Sequence, residues 1–366
     1  MKHKRLYVAL LGVFVTAASV GAASLISSGV QSKARSLPVF EVDHAWPKIP
    51  AQWKLGDVSS IAIDAQDHIW VLHRPRTLKP EQPAAPPVIV FDSEGNYIKA
   101  WGGDGDGYEW PQREHGIYID YKGFVWLGGN NCPTNGLPRV RPVADDQLLK
   151  FTQDGKLVMQ LGHSNQSKGN ADTQNLHRPA DEWVYPPTNE IFVADGYGNH
   201  RVIVFDADSG KFKRMWGAFG NKPVDDDHCA IVTPSGFSDP GPQQFSIVHA
   251  IRVANDGMVY VADREYRRVQ MFTKEGKFLK QLVKSDIPFA RDLALSPEQQ
   301  FLYVGGGNSI FIVDRKTLQI VGNIGPPGII GAGHEIATDS KGNLYIAQTV
   351  AGLQKLTFKG MSRADR

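Results

Sequence analysis

Three of the 11 histidines in this 366-residue chain stand in one register. His115 lies eight positions before Gly123, His249 eight before Gly257 and His334 eight before Gly342. Three neutral imidazoles meeting with one position left open form the catalytic rather than the structural pattern for Zn²⁺. Fe²⁺, Mn²⁺ and Cu²⁺ accept the same donors. His73, His163, His177, His200 and His228 share no such register and are expected on the surface or in loops. Two cysteines and no Cys-x-x-Cys pair rule out a thiolate zinc ribbon. Cys132 and Cys229 leave both a disulfide and two separate thiols open, because sequence separation says nothing of Cβ geometry.

The elements that must bring these histidines together are repeated. A short apolar strand, a polar or Gly turn, two further strands, a second Gly turn and a last strand recur from Val58 onward, in six units beginning near Ser59, His115, Asp181, His249, Arg291 and His334. Lys122-Gly123, Asp154-Gly155, Asp256-Gly257 and Glu275-Gly276 sit between alternating apolar runs and read as hairpin turns that tolerate positive φ. Each unit is therefore an antiparallel meander, and six of them make an all-β, six-bladed β-propeller, with a β-sandwich as the competing arrangement. The sixth unit ends after its third strand, so Val39-Phe40-Glu41-Val42 is expected to supply the missing strand and close the ring. The histidine units are the second, fourth and sixth, a third of a turn apart, so their imidazoles are expected on the central axis. Channel-lining histidines bonded to water or backbone are the plainer alternative.

The start of each first strand and the end of each second strand share one face. Nearly every long insertion falls there, at 75–87, 128–146, 163–178 and 218–248, and long ordered loops usually carry function. At the ends of second strands stand Arg74, Arg264 and Tyr197. Two guanidinium forks beside a metal suit a carboxylate, and a Tyr beside cations suits a general base. Ion pairs of the arginines with Asp195 or Asp263, and a packed turn position for Tyr197, are the alternatives.

With 40 Lys+Arg against 38 Asp+Glu, both signs mixed, nothing points to nucleic acid or an anionic membrane. Lys2, Lys4 and Arg5 precede an apolar run from Leu6 to Val20 and the small residues Gly21, Ala22 and Ala23, the pattern of an export signal. The expected layout is a signal over 1–23, a linker over 24–37, the propeller over 38–360 and a tail over 361–366. Export to the periplasm or medium follows, or an uncleaved anchor, since the run nears bilayer-spanning length.

Val58-Ser-Ser-Ile-Ala-Ile-Asp, His73-Arg74, His115-Gly-Ile-Tyr-Ile-Asp, Ala194-Asp-Gly-Tyr-Gly-Asn-His-Arg201, Ala262-Asp-Arg264 and Gly333-His-Glu335 together resemble the NHL-repeat propellers. Within them the likeness is to the catalytic domain of peptidyl-α-hydroxyglycine α-amidating lyase. It implies zinc on His115, His249 and His334, Tyr197 as catalytic base, and Arg74 and Arg264 as active-site arginines. It also implies a structural calcium in the channel, held by backbone carbonyls of Ile61 and Ile117 and by Glu335, where the family has Asp. The family's cysteines are replaced by Gly198 and Tyr260, and no copper monooxygenase domain precedes the propeller. The function so implied is a C–N lyase yielding an amide and glyoxylate; a small-molecule or peptide substrate is expected in the cup, and the chain is expected to be a monomer. A non-catalytic propeller that binds a peptide, glycan or partner protein is the alternative. A calcium-dependent lactonase-like propeller is a weaker one, since its ligands would be carboxylates and Asn.

Overall fold

An aspartate just past the first strand sets the opening turn of three units. Asp64 Oδ1 accepts the amides of Gln66 and His68, both at 2.9 Å, while its Oδ2 takes Trp70 Nε1 at 2.9 Å. Asp120 does the same with Lys122, Phe124 and Trp126, and Asp339 with Lys341, Asn343 and the Tyr345 hydroxyl. One carboxylate thus satisfies two turn amides and ties the second strand to the first. The turn then needs left-handed backbone, which Gly123 and Gly342 supply at φ 83° and 85°.

The computed structural model of the chain describes residues 36–225, 229, 239–283, 287, 289–326, 328–331 and 333–362. The signal expected over 1–23 and nearly all of the linker fall outside them. Among the described residues the strands form six sheets of four, each antiparallel, with short 3₁₀ turns as the only helical elements. The chain is a six-bladed β-propeller.

The innermost strands of blades one to six are Asp57–Ile63, Glu114–Ile119, Asp181–Tyr185, Val248–Val253, Asp292–Leu295 and Glu335–Thr338. In blade six the outermost strand is Pro38–Asp43, paired antiparallel with Gly352–Met361 so that Phe40 lies opposite Phe358. The core lies between blades. Ala250, Tyr260 and Val269 of blade four pack with Leu293, Leu302 and Val313 of blade five in one buried cluster, and the other blade pairs repeat the pattern. Burial declines outward: Val88–Phe91 is wholly buried, its outer neighbour Tyr97–Trp101 half-exposed.

Each innermost strand has a free edge toward the channel, a liability unless covered. Here odd blades seal even ones. Ser60 Oγ accepts Ile117 N at 3.2 Å, Asp181 Oδ2 accepts Ile251 N at 2.8 Å and Asp292 Oδ2 accepts Ile336 N at 2.5 Å. These three seals lie at the junctions of blades one and two, three and four, and five and six.

Candidate metal centre

The other three blade junctions aim the histidines. His115 Nδ1 lies 2.7 Å from Ala180 O, His249 Nδ1 2.6 Å from Arg291 O and His334 Nδ1 2.7 Å from Ser59 O, each on the next blade. A carbonyl only accepts, so each Nδ1 carries the proton and each Nε2 offers a lone pair. Ring centroids stand 4.6 to 5.0 Å apart, and one nitrogen of each ring lies within 4.8 Å of the others. Burial first, then neighbouring imidazoles and arginines, holds all three pKa values well below the ordinary histidine range. The imidazoles are therefore neutral.

Tyr197 follows the strand Glu190–Asp195 in a turn clamped by the 163–178 loop: Tyr197 N donates to Arg178 O and Gly198 N to His177 O. A side chain at Gly198 has no room, since a Cβ there would lie 1.5 Å from the His177 ring. The phenol oxygen stands 3.0 Å from His115 Nε2, 3.1 Å from His249 Nε2 and 2.9 Å from Arg264, which donates to it. One hydroxyl proton cannot serve two lone pairs. This surplus of lone pairs facing one point is what a cation would resolve, so the residues fit a divalent metal.

Arg74, almost fully buried, donates from Nε to Glu114 O at 2.7 Å; burial and then Arg113 lower its pKa to about 10. It also lines a cavity of about 450 Å³ with Leu78, Leu137 and Arg113. Arg264 is bound to Glu265 and lies over the Tyr197 ring at 5.4 Å. Neither pairs with Asp195 or Asp263, which hold Arg201 and Arg268 instead. Arg291 is a third cation here: its pKa is lowered by burial and then by Arg264. It occupies in blade five the position the histidines occupy in blades two, four and six, eight residues before the left-handed Gln299. A search of that register for any polar side chain, not histidine alone, would have found it.

The loops join over the same face. Arg139 of the 128–146 loop donates to the carbonyls of Pro75, Arg76 and Leu78, and Asn170 binds Asp225. Cys132 and Cys229 are paired, Cα atoms 5.8 Å apart, which ties two of the insertions.

One expectation fails outright: His73 is not at the surface. It is fully buried in the second strand of blade one, its Nδ1 accepting Gly56 N and its Nε2 donating to Pro86 O. Burial lowers its pKa to about 4. Both ring nitrogens are satisfied by the 75–87 loop and the strand entry, so an imidazole can replace an apolar side chain there. His163 is exposed, His200 binds Ser246 O, and His228 lies outside the described residues.

Ile61 and Ile117 line the channel on the far side of the histidines, with Asp181, Arg252 and Ile336. Glu335 stands with Asp181 and Asp292 in a second group of carboxylates around Arg252. Sequence reading named Glu335 alone of these; the other two aspartates occupy its register position in blades three and five.

Fold and centre together define a six-bladed propeller with three histidines on its axis. No family model matches the chain. It is similar to peptidylglycine α-amidating monooxygenase of Rattus norvegicus, 28% identical over 324 residues, which cover 80% of this chain but 29% of that protein. A probable peptidyl-α-hydroxyglycine α-amidating lyase of Caenorhabditis elegans is 24% identical over 318 residues, 79% of each chain. Among solved structures a streptogramin B lyase superposes with a TM-score of 0.55 at 13% identity, covering 87% of this chain and 98% of that one, a likeness of fold. The resemblance read from the residues is borne out: amidating monooxygenases and amidating lyases are homologues of this chain.

Proposed function

We propose that the protein is a metal-dependent lyase that breaks the C–N bond of an α-hydroxylated amide such as a peptidyl-α-hydroxyglycine, releasing an amide and glyoxylate. One observation carries it: the Tyr197 hydroxyl stands within 3.1 Å of two of three convergent imidazole nitrogens and 2.9 Å from Arg264. The names of the homologous amidating lyases support the same chemistry.

His115, His249 and His334 would hold the metal, zinc being the first choice for three imidazoles with an open position. Bound there, it would supply Lewis acidity that lowers the pKa of the substrate hydroxyl. Tyr197, as the phenolate held by Arg264, takes the hydroxyl proton, the C–N electron pair leaves on nitrogen as the carbonyl of glyoxylate forms, and Tyr197 returns that proton to the nitrogen. Arg74 and Arg264 hold the substrate carboxylate, with Arg291 adding positive field. The long loops form the cup around a small-molecule or peptide substrate.

The test is glyoxylate release from an α-hydroxylated N-acylglycine, with metal content measured in parallel. His249→Ala loses metal and turnover together. Tyr197→Phe keeps metal and loses turnover by about 10²–10⁴-fold, the usual worth of a positioned base. Full turnover in a metal-free preparation overturns the proposal. Metal without turnover of any such substrate leaves the propeller as a binding module. Export agrees with the Cys132–Cys229 pair, since disulfides persist in oxidising compartments. Among the described residues no helix is long and apolar enough to cross a membrane.

A further inference from the structure

One register step below the histidines the channel holds three buried carboxylates from three blades: Asp181, Asp292 and Glu335. This is where the family resemblance places a calcium. The fit can be judged from what each oxygen already does.

Arg252, buried on the innermost strand of blade four, reaches into the group. One guanidinium nitrogen donates to Asp181 Oδ2 and to Ile251 O at 2.7 Å; the other donates to Asp292 Oδ1 at 3.1 Å and stands 4.0 Å from Glu335 Oε2. The guanidinium also lies over the Trp183 ring at 5.4 Å, which fixes its plane. Asp181 Oδ2 and Asp292 Oδ2 are at the same time the acceptors that seal the amides of Ile251 and Ile336. Glu335 Oε1 faces upward, 4.0 Å from His249 Nδ1 and 3.9 Å from His334 Nδ1.

Calcium needs about six to eight oxygens at roughly 2.3–2.6 Å around an empty centre. Here the aspartate oxygens are turned to N–H donors, and a fixed positive charge lies among them. A divalent ion would have to displace the guanidinium or share a buried space with it, at a large Coulombic cost. Ile61 and Ile117, expected to lend carbonyls to the ion, line the same stretch of channel as Arg252.

We propose that Arg252 is the resident cation of this channel and takes the place of the calcium. The wild-type chain holds no calcium at this level, and the three carboxylates form a latent divalent-cation site that opens only when the guanidinium is removed. The spacing of the blades beneath the histidines is thereby independent of calcium.

The experiment is equilibrium dialysis against ⁴⁵Ca²⁺ with the zinc-loaded full chain, paired with melting curves with and without CaCl₂. Wild type is expected to take up no calcium and to show no shift in Tm. Arg252→Ala is expected to bind about one calcium per chain and, near 100-fold excess over Kd, to gain about 4 °C in Tm. Arg252→Lys keeps the charge, guards against loss of fold in the alanine variant, and is expected to stay calcium-free. One calcium bound per wild-type chain with a rise in Tm overturns the proposal without any variant. A folded Arg252→Ala that takes up no calcium overturns it as well. No arm reads catalysis, so the lyase assignment and this one fail separately.

Discussion

A single buried imidazole shows how far residue type alone can mislead. His73 carries the ordinary mark of a surface residue, yet it links the entry of blade one to the 75–87 loop through both ring nitrogens. Its folded pKa of about 4 lies below the unfolded value of 6.5, so between those pH values the unfolded chain binds the extra proton. The stability it provides is complete above pH 6.5 and is lost as pH falls toward 4, by about 3 kcal/mol. Glu114 and Asp146 oppose it: burial raises both to about 7, so they favour the folded state at low pH and less as pH rises. The measurement is therefore a difference. Between pH 7 and 4, urea melts should show wild type losing about 3 kcal/mol more than His73→Gln; equal losses would show that His73 does not titrate below its unfolded value.

At the scale of the element, one device is used twice. The second strand of blade three ends on Asp195 and that of blade four on Asp263, and each carboxylate accepts Nε of a buried arginine at the head of the third strand, Arg201 and Arg268. The rest of each guanidinium holds carbonyls of a long insertion: Asn170, Asp172 and Asn175 for Arg201, and Pro240, Pro242 and Gln244 for Arg268. The ion pair is thus a peg for a loop that has little core of its own. Arg268→Met leaves Asp263 buried without its partner and frees three carbonyls. We expect a loss of about 3 kcal/mol, with protease cleavage appearing near residues 239–245; an intact loop under digestion would contradict the peg. Ion pairs of Arg74 and Arg264 with Asp195 or Asp263 were the alternative that the sequence left open. Both aspartates instead take the arginine that follows in their own blade, while Arg74 donates to Glu114 O and Arg264 to Glu265 and the Tyr197 hydroxyl.

For the whole molecule the joint is blade six. Pro38–Asp43 lies against Gly352–Met361, and Phe40 packs with Tyr303 of blade five and Phe358 of its own sheet. Chain ends that share a sheet must part before the ring can open. Phe40→Ala removes a buried aromatic from this joint and should cost about 3 kcal/mol in denaturant melts while unfolding remains a single transition. Removing residues 38–43 uncovers the outer edge of Gly352–Met361, an open template for pairing. That variant should self-associate in light scattering; a stable monomer would show that closure is dispensable.

Periodicity determined the blades: alternating apolar residues and turn glycines state where each strand begins, and equal spacing from the turn places His115, His249 and His334 at one level. The loops, Tyr197 and the two site arginines were likewise legible, because each sits at a strand end whose face follows from the meander. Tertiary structure decided which neighbours each polar group meets. It gave every site imidazole a carbonyl on the next blade, buried His73 between a loop and a strand, brought Arg291 to the centre, joined Cys132 to Cys229 and set Arg252 among three carboxylates. These are contacts between residues distant in the chain, and their partners depend on how six sheets close around an axis rather than on any local pattern.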